Sequence, residues 1–331
     1  MPCFRWHFGH WSLSSTPGKS AGKSILAGMP RPTRIAIVGG THGNERGGVL
    51  VVEEIRNHPE NWRFPGLEID TFFGNPEAIR INRRYVERDL NRCFGEHFPE
   101  ASPTAPLYEQ RRAWELSQEL RPDGRPYDLL IDLHNTTGAM GVSWILTNPH
   151  PWPWYLGWQA WQQDPDLVRI YHTPETLASN VFVPSLGTDE ITLEIGCAIH
   201  GTSPHWAYEA ARNQTRDILE RLSSLPADFD PVAPLRQTDF PLYLEGDEVE
   251  FPRDAQCKVC GLLHKDLLGR DYQPVKEGDA VFFLPGSQET VRHQGETFWP
   301  VFVAEEAYVE KEIAFVKTAL CSWAGGKDTL S

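Results

Sequence analysis

Arg34-Ile-Ala-Ile-Val-Gly-Gly-Thr-His-Gly-Asn-Glu-Arg-Gly-Gly48 is the stretch that decides the fold. Its apolar run stops at Gly39-Gly40, the mark of a buried strand entering a sharp turn, and residues 49–57 beyond it read as a helix. Residues 67–73 read as a second strand, closed by Gly74-Asn75-Pro76, and residues 106–120 as a polar-faced helix. Residues 127–133 form a third strand whose solid apolar centre suits a strand covered on both faces. Residues 191–195 add another strand and 205–223 another helix. Strands alternating with helices predict an α/β layer around a mixed or largely parallel sheet. Trp154, Trp158 and Trp161 fall on one helical face, which reads as core.

The pattern changes near Pro226-Ala-Asp-Phe-Asp-Pro-Val-Ala-Pro234. Beyond it, 241–251, 256–263, 279–284 and 299–304 read as strands separated by turns, so the chain divides into three expected parts. These are a basic, disordered head or leader at 1–32, an α/β catalytic domain at 33–232, and a smaller, mainly β domain at 233–331. With 331 residues, 40% of them hydrophobic, there is ample chain to bury a core. A net charge of −14 argues against nucleic acid or an anionic membrane surface as the main partner.

Residues 1–34 depart from this acidity, with five basic and no acidic side chains. They lack the continuous apolar segment of a secretory signal, so the expected compartment is cytoplasmic, with a cleavable leader left open. The longest uncharged stretch, 133–163, is broken by Pro149, Pro151 and Pro153 and is no membrane span. Six cysteines in a chain of this length are not a disulfide scaffold, and the lone Cys257-Lys-Val-Cys260 reads as structural. A homo-oligomer is compatible with all of this.

The chemistry begins at His42 and Glu45, three apart, which offer the nitrogen and carboxylate ligands zinc accepts. The same spacing recurs in His97/Glu100, His172/Glu175 and His293/Glu296, so context must separate them. Only the first follows a buried strand and Gly-Gly turn, at the carboxyl edge where α/β sites gather. The other three are read as surface residues. His134 ends the third strand and supplies a third ligand, with Asp132 two residues before it as a residue that could orient a ligand. Glu194 interrupts an apolar strand, where an acid is costly to bury without a partner; it reads as a general base beside a metal-bound water, or else as an outward-facing strand residue. Arg84, Asn91 and Arg92 lie in an arginine-rich segment suited to gripping a carboxylate or an oxyanion, or simply to solvation. His200 and His205 follow the Glu194 strand, as pocket or loop residues.

Taken together, these segments resemble the aspartoacylase/succinylglutamate desuccinylase family, zinc amidohydrolases related to the carboxypeptidase A fold. The resemblance rests on Gly39-Gly-Thr-His-Gly-Asn-Glu45, Gly74-Asn-Pro76, Arg84-Tyr85, Asp89-Leu-Asn-Arg92, Asp132-Leu-His-Asn-Thr-Thr-Gly-Ala-Met-Gly141 and Leu193-Glu-Ile-Gly196, in the family's order. Pro300-Val-Phe-Val-Ala-Glu-Glu-Ala-Tyr-Val-Glu-Lys311 is similar to the aspartoacylase branch in particular. The resemblance implies one Zn2+ per chain on His42, Glu45 and His134, with Glu194 activating water and Arg84 polarising the amide carbonyl. It implies Asn91 and Arg92 on the amino acid's carboxylate, Tyr308 reaching in from the second domain, and that domain capping the mouth. The substrate would be a small N-acyl amino acid, N-acetyl-L-aspartate first.

Two departures bear on that choice. Aspartoacylase carries an additional substrate-binding arginine shortly before the catalytic glutamate, where this chain has Pro184 and no arginine between Arg169 and Arg212. A family lysine is replaced by Glu248. The alternatives are therefore a deacylase of N-acyl aromatic or neutral amino acids, a succinylglutamate desuccinylase, or a zinc-binding module without catalysis. Retention of Glu194 and Arg84 beside a three-ligand set argues against the last, because structural zinc sites are usually closed by four protein ligands.

Overall fold

The computed structural model describes residues 30–95, 100–147, 150–173, 182–202 and 204–324. The deciding strand, β1 (Arg34–Gly39), lies deep in the sheet, and its period-2 alternation sorts side chains to two cores. Ile35 and Ile37 enter one apolar cluster, while Ala36 and Val38 enter another on the opposite face. β2 (Glu68–Phe73) and β3 (Leu129–Asn135) flank β1, both parallel to it. β6 (Asp189–Gly196) runs parallel beside β3, with His134 level with Glu194. β4 (Gly141–Leu146) is antiparallel to β6, and β5 (Val168–His172) is parallel to β4.

Helices cover both faces, which gives the expected α/β layering with a mixed sheet. α1 (Arg46–Asn57), α4 (Pro151–Gln163) and α5 (His205–Ser224) bury Val51, Val52, Ile55, Trp154, Ile218 and Leu222 against the Ile35 face. α3 (Tyr108–Glu119) buries Ala113 and Leu116 against the other face. A short α2 (Pro76–Ile81) follows β2, capped by the Asn75 side chain.

The long C-terminal strands join the catalytic sheet. β7 (Asp239–Glu250) pairs with β5 through Tyr171–Tyr243 and His172–Leu244. β12 (Ile313–Ala324) and β11 (Trp299–Val301) add to β7, so nine strands make one sheet. Among the described residues, β8 (Leu262–Leu263), β9 (Ala280–Leu284) and β10 (Glu289–Arg292) form a separate, three-stranded sheet. It packs with β12 around Phe282, Phe298 and Phe315.

Several sequence expectations change. Of residues 256–263 only the last two are strand, because Asp254 accepts the backbone N–H groups of Gln256 and Lys258 and winds the rest into a turn. Cys257 and Cys260 in that region are free thiols. Trp154 is fully buried, whereas Trp158 and Trp161 are half-buried at the rim of the cluster. His172 and His293 are buried, not surface residues. His172 bonds through Nδ1 to the Leu146 carbonyl at 2.9 Å, and His293 through Nε2 to that of Glu296 at 2.6 Å. Neither belongs, among the described residues, to a group that could hold a metal ion. His97 and Glu175 lie outside the described residues, as does the head through residue 29. No helix among the described residues is long and apolar enough to cross a membrane.

Trp154 joins the two halves of the chain: its ring stacks on Trp323 of β12 at 5.0 Å, and Trp323 stacks on Phe240 of β7 at 5.6 Å. Trp154→Ala should cost about 3–5 kcal/mol. A correspondingly lower urea midpoint at unchanged slope would show it, whereas a loss under 1 kcal/mol would mean the seam re-packs.

Candidate active site

The site forms where β1 and β3 end side by side. After β1 the backbone turns through Gly40 at φ +73°, a conformation side-chain-bearing residues rarely adopt. At Gly43 it passes so close to α2 that a Cβ would sit 2.0 Å from the Ala78 carbonyl carbon. This turn carries His42 inward and leaves Glu45 as the residue that opens α1. β3 delivers His134 and Asn135 from the neighbouring strand.

His42, Glu45 and His134 are all buried and offer ligand atoms within 4.8 Å of one another. His42 Nδ1 lies 2.7 Å from Glu45 Oε1, and His134 Nδ1 lies 2.9 Å from Glu45 Oε2. The far nitrogens are committed to carboxylates, His42 Nε2 to Asp89 at 3.2 Å and His134 Nε2 to Asp132 at 2.8 Å. Asp132 is held in turn by the Thr41 hydroxyl at 2.8 Å. Each imidazole therefore turns Nδ1 to the common centre with a carboxylate behind it, as histidines that bind metals do. Two such nitrogens and one carboxylate suit zinc with a coordination position open. The donor set fits the ion.

The electrostatics agree. Burial opposes charge on Glu45, yet His42 and His134 hold its carboxyl well below the usual carboxylate range. Burial likewise opposes charge on His134, yet Asp132 and Glu45 hold its proton affinity well above that of a free imidazole. The same surroundings favour positive charge at the position a cation would take.

Arg84 is clamped by Asp89, which accepts from its Nε at 3.2 Å and Nη2 at 3.1 Å, while Nη1 reaches Glu45 Oε1 at 3.0 Å. Asp89 stays well below the usual carboxylate range, because His42, Arg84 and Arg92 outweigh its burial. The segment bearing these residues is shaped by Glu109 of α3, whose carboxylate accepts the backbone N–H groups of Val86, Glu87 and Arg88. Glu194 stands beside His134 on the same sheet face, 9% exposed. Burial pushes its carboxyl well above the usual range; Glu45 and Glu305 add to this, and His134 and Arg84 oppose it.

The substrate-side residues gather less tightly. Asn91 is buried, and its Oδ1 accepts the Val183 N–H at 3.1 Å, which leaves its NH2 group as donor. Arg92 lies over the Phe182 ring at 5.5 Å. Tyr308 packs on Phe302 at 5.4 Å with the Lys311 ammonium 5.6 Å over its ring. Burial, with Glu245, pushes the Tyr308 hydroxyl well above its ordinary pKa, and Arg92 opposes. Burial and the nearby Arg92 lower the affinity of Lys311 for its proton. Asp89, Glu109, Glu305 and Lys311 were not singled out from sequence. Asp89 at least had a signal, in the Asp89-Leu-Asn-Arg92 run. His205 is exposed at the start of α5, away from this group.

A buried His2Glu set at the carboxyl edge of an α/β sheet, with an acid beside it, is an arrangement that could hold a metal ion and serve hydrolysis. Comparison with known proteins agrees. Residues 32–223 match the succinylglutamate desuccinylase/aspartoacylase catalytic domain, and residues 239–320 match the AstE/AspA barrel-sandwich hybrid domain. The chain belongs to this family. It is 33% identical over 286 residues to a protein of Acaryochloris marina named "Probable aspartoacylase", covering 86% of this chain and 95% of that one. It is 32% identical over 302 residues to a Mus musculus N-acyl-aromatic-L-amino acid amidohydrolase (carboxylate-forming), covering 89% and 93%. The crystal structure of murine aminoacylase 3 superposes with a TM-score of 0.79 at 29% identity, covering 89% of this chain and 97% of that one.

Asp132 and Glu45 favour a proton on His134, and ligation of a metal by its imidazole disfavours one. Calorimetric titration at pH 7 in buffers of different ionisation enthalpy should show release of roughly one proton per zinc bound. His134→Ala should abolish high-affinity binding; retention of both affinity and proton release would exclude His134 as a ligand.

Proposed function

We propose that this chain is a zinc-dependent amidohydrolase that deacylates small N-acyl amino acids. The observation that carries the reading is the buried His42–Glu45–His134 set with Glu194 level with His134 across the β3–β6 pair. Zinc held there would polarise the acyl carbonyl and acidify water. Glu194 takes the proton from the attacking water on its carboxylate and returns it to the leaving amine nitrogen. Its raised pKa suits the second task, since a carboxyl that holds its proton is a better donor near neutrality. Arg84, fixed by Asp89 and in contact with Glu45, is assigned the role of steadying the oxyanion.

The amino acid's α-carboxylate is assigned to Arg92 and the Asn91 amide, with Tyr308 on the other side. N-acetyl-L-aspartate is the first substrate expected, and Lys311 supports it, as an exposed cation near Arg92 where the second carboxylate would seek one. A second reading, an N-acyl aromatic or neutral substrate, is favoured by a different observation. Tyr308 packs on Phe302, Phe302 meets Tyr171 edge-on at 6.2 Å, and Glu245 and Glu248 act on the Tyr308 hydroxyl as negative charges. That wall is aromatic and anionic, and repels a second carboxylate. The hybrid domain, continuous with the catalytic sheet, is assigned the role of narrowing the mouth.

Amine release from N-acetyl-L-aspartate, N-acetyl-L-tyrosine and N-succinyl-L-glutamate, measured with and without chelator, tests this directly. Chelator-sensitive release led by aspartate supports the first reading, and release led by tyrosine the second. Absence of release from all three would overturn the proposal. Glu194→Ala should bind zinc normally and lose turnover by roughly a hundredfold or more. A near-wild-type rate would remove Glu194 from the mechanism.

A further inference from the structure

His200 is used by none of the chemistry above, yet its side chain is only 2% exposed in a loop whose neighbour Ile199 is 68% exposed. We infer that His200 is a positioning residue: its imidazole clasps the loop leaving β6 to the segment that carries Tyr308, with Glu306 as its charged partner. This rests on the reading of Tyr308 as a substrate-binding residue.

The loop of residues 197–202 meets all three contributors to the site. Gly201 N–H donates to the Asn44 carbonyl at 2.7 Å, inside the His42–Glu45 turn. His200 Nε2 donates to the Asn135 carbonyl at 3.0 Å, next to His134 on β3. His200 Nδ1 lies 3.0 Å from Glu306 Oε2, an ion-pair contact not aligned as a hydrogen bond, and Nε2 lies 3.8 Å from Glu305 Oε1. These contacts reach none of His42, Glu45, His134 or Glu194.

The segment beyond has reason to need a clasp. Phe302 and Ala304 both hold left-handed backbone conformations, at φ +55° and +59°, which residues other than glycine keep only when their surroundings impose them. The surroundings here are polar stitches. Asp271 accepts the Ala139 N–H at 2.9 Å and the Val303 N–H at 3.0 Å. Glu305 accepts the Thr136 hydroxyl and the Thr137 N–H, and Glu306 N–H donates to the Thr137 hydroxyl at 2.9 Å. These tie the segment to the β3–β4 connection and to Asp271, and the Tyr85 hydroxyl donates to Glu310 at 2.7 Å. His200 adds a tie to the loop leaving β6, and so helps set where Tyr308 stands relative to Glu194.

The test compares zinc-loaded wild type with His200→Gln, which keeps a donor for Asn135, with Glu306→Gln, and with the double variant. Glu306 is an exposed side chain, so its variant tests the clasp even if His200→Gln does not fold. Zinc content should be unchanged, and amides of residues 304–311 should exchange faster in both single variants. For the best N-acyl amino acid, KM should rise roughly threefold to tenfold with kcat held within about twofold, and the double variant should be no worse than the worse single. Unchanged exchange and KM in Glu306→Gln, or strictly additive effects, would overturn the clasp. Faster exchange in variants of a protein that cleaves no N-acyl amino acid would uphold the clasp and overturn the substrate assignment instead.

Discussion

The buried carboxylate of Glu45 is the constraint on which the rest of this structure depends. An anion taken out of water costs several kcal/mol unless charges and hydrogen bonds surround it. Here it faces two imidazoles, the Arg84 guanidinium and the Asn135 N–H. Those partners come from three separate stretches of chain, and each is braced by a further group. Asp89 and Asp132 back the two histidines, Asn135 Oδ1 accepts the Gly47 N–H of α1, and Glu109 shapes the backbone ahead of Asp89. Removing any one leaves charge uncompensated in a place water barely reaches. The same network that makes the site expensive to build makes it receptive to a divalent cation.

The sheet supplies the geometry that the charges need. Period-2 alternation along β3 sends Leu129, Ile131 and Leu133 to one core and leaves Asp132 and His134 on the other face. The β3–β6 register then sets Glu194 level with His134. A slip of one residue in that pairing would turn Glu194 into the apolar core and dismantle the site. Apolar packing and catalytic geometry are in this way a single constraint.

Much of this was legible in the amino-acid order. Strands ending in Gly-Gly and in His-Asn, and an acid interrupting an apolar run, marked β1, β3 and β6 and four residues around the metal position. β4, α2 and β5 were not read. β4 sits in the long uncharged stretch where apolar periodicity has no polar contrast to reveal it, and β5 is only five residues long. The burial of His172 and His293 was missed because each is satisfied by a backbone carbonyl, and spacing carries no trace of such a partner.

By itself, the sequence determined the local elements and the kinds of ligand, because strand periodicity, turn residues and side-chain chemistry are properties of short segments. Only the tertiary structure decided that the ligand atoms of His42, Glu45 and His134 lie within reach of one ion, and that β7, β11 and β12 complete the catalytic sheet. It alone brought Glu305, Glu306 and Lys311 to a site more than a hundred residues away in the chain. The physical reason is that burial, charge pairing and register belong to pairs of segments, and a pair exists only once the chain has closed on itself.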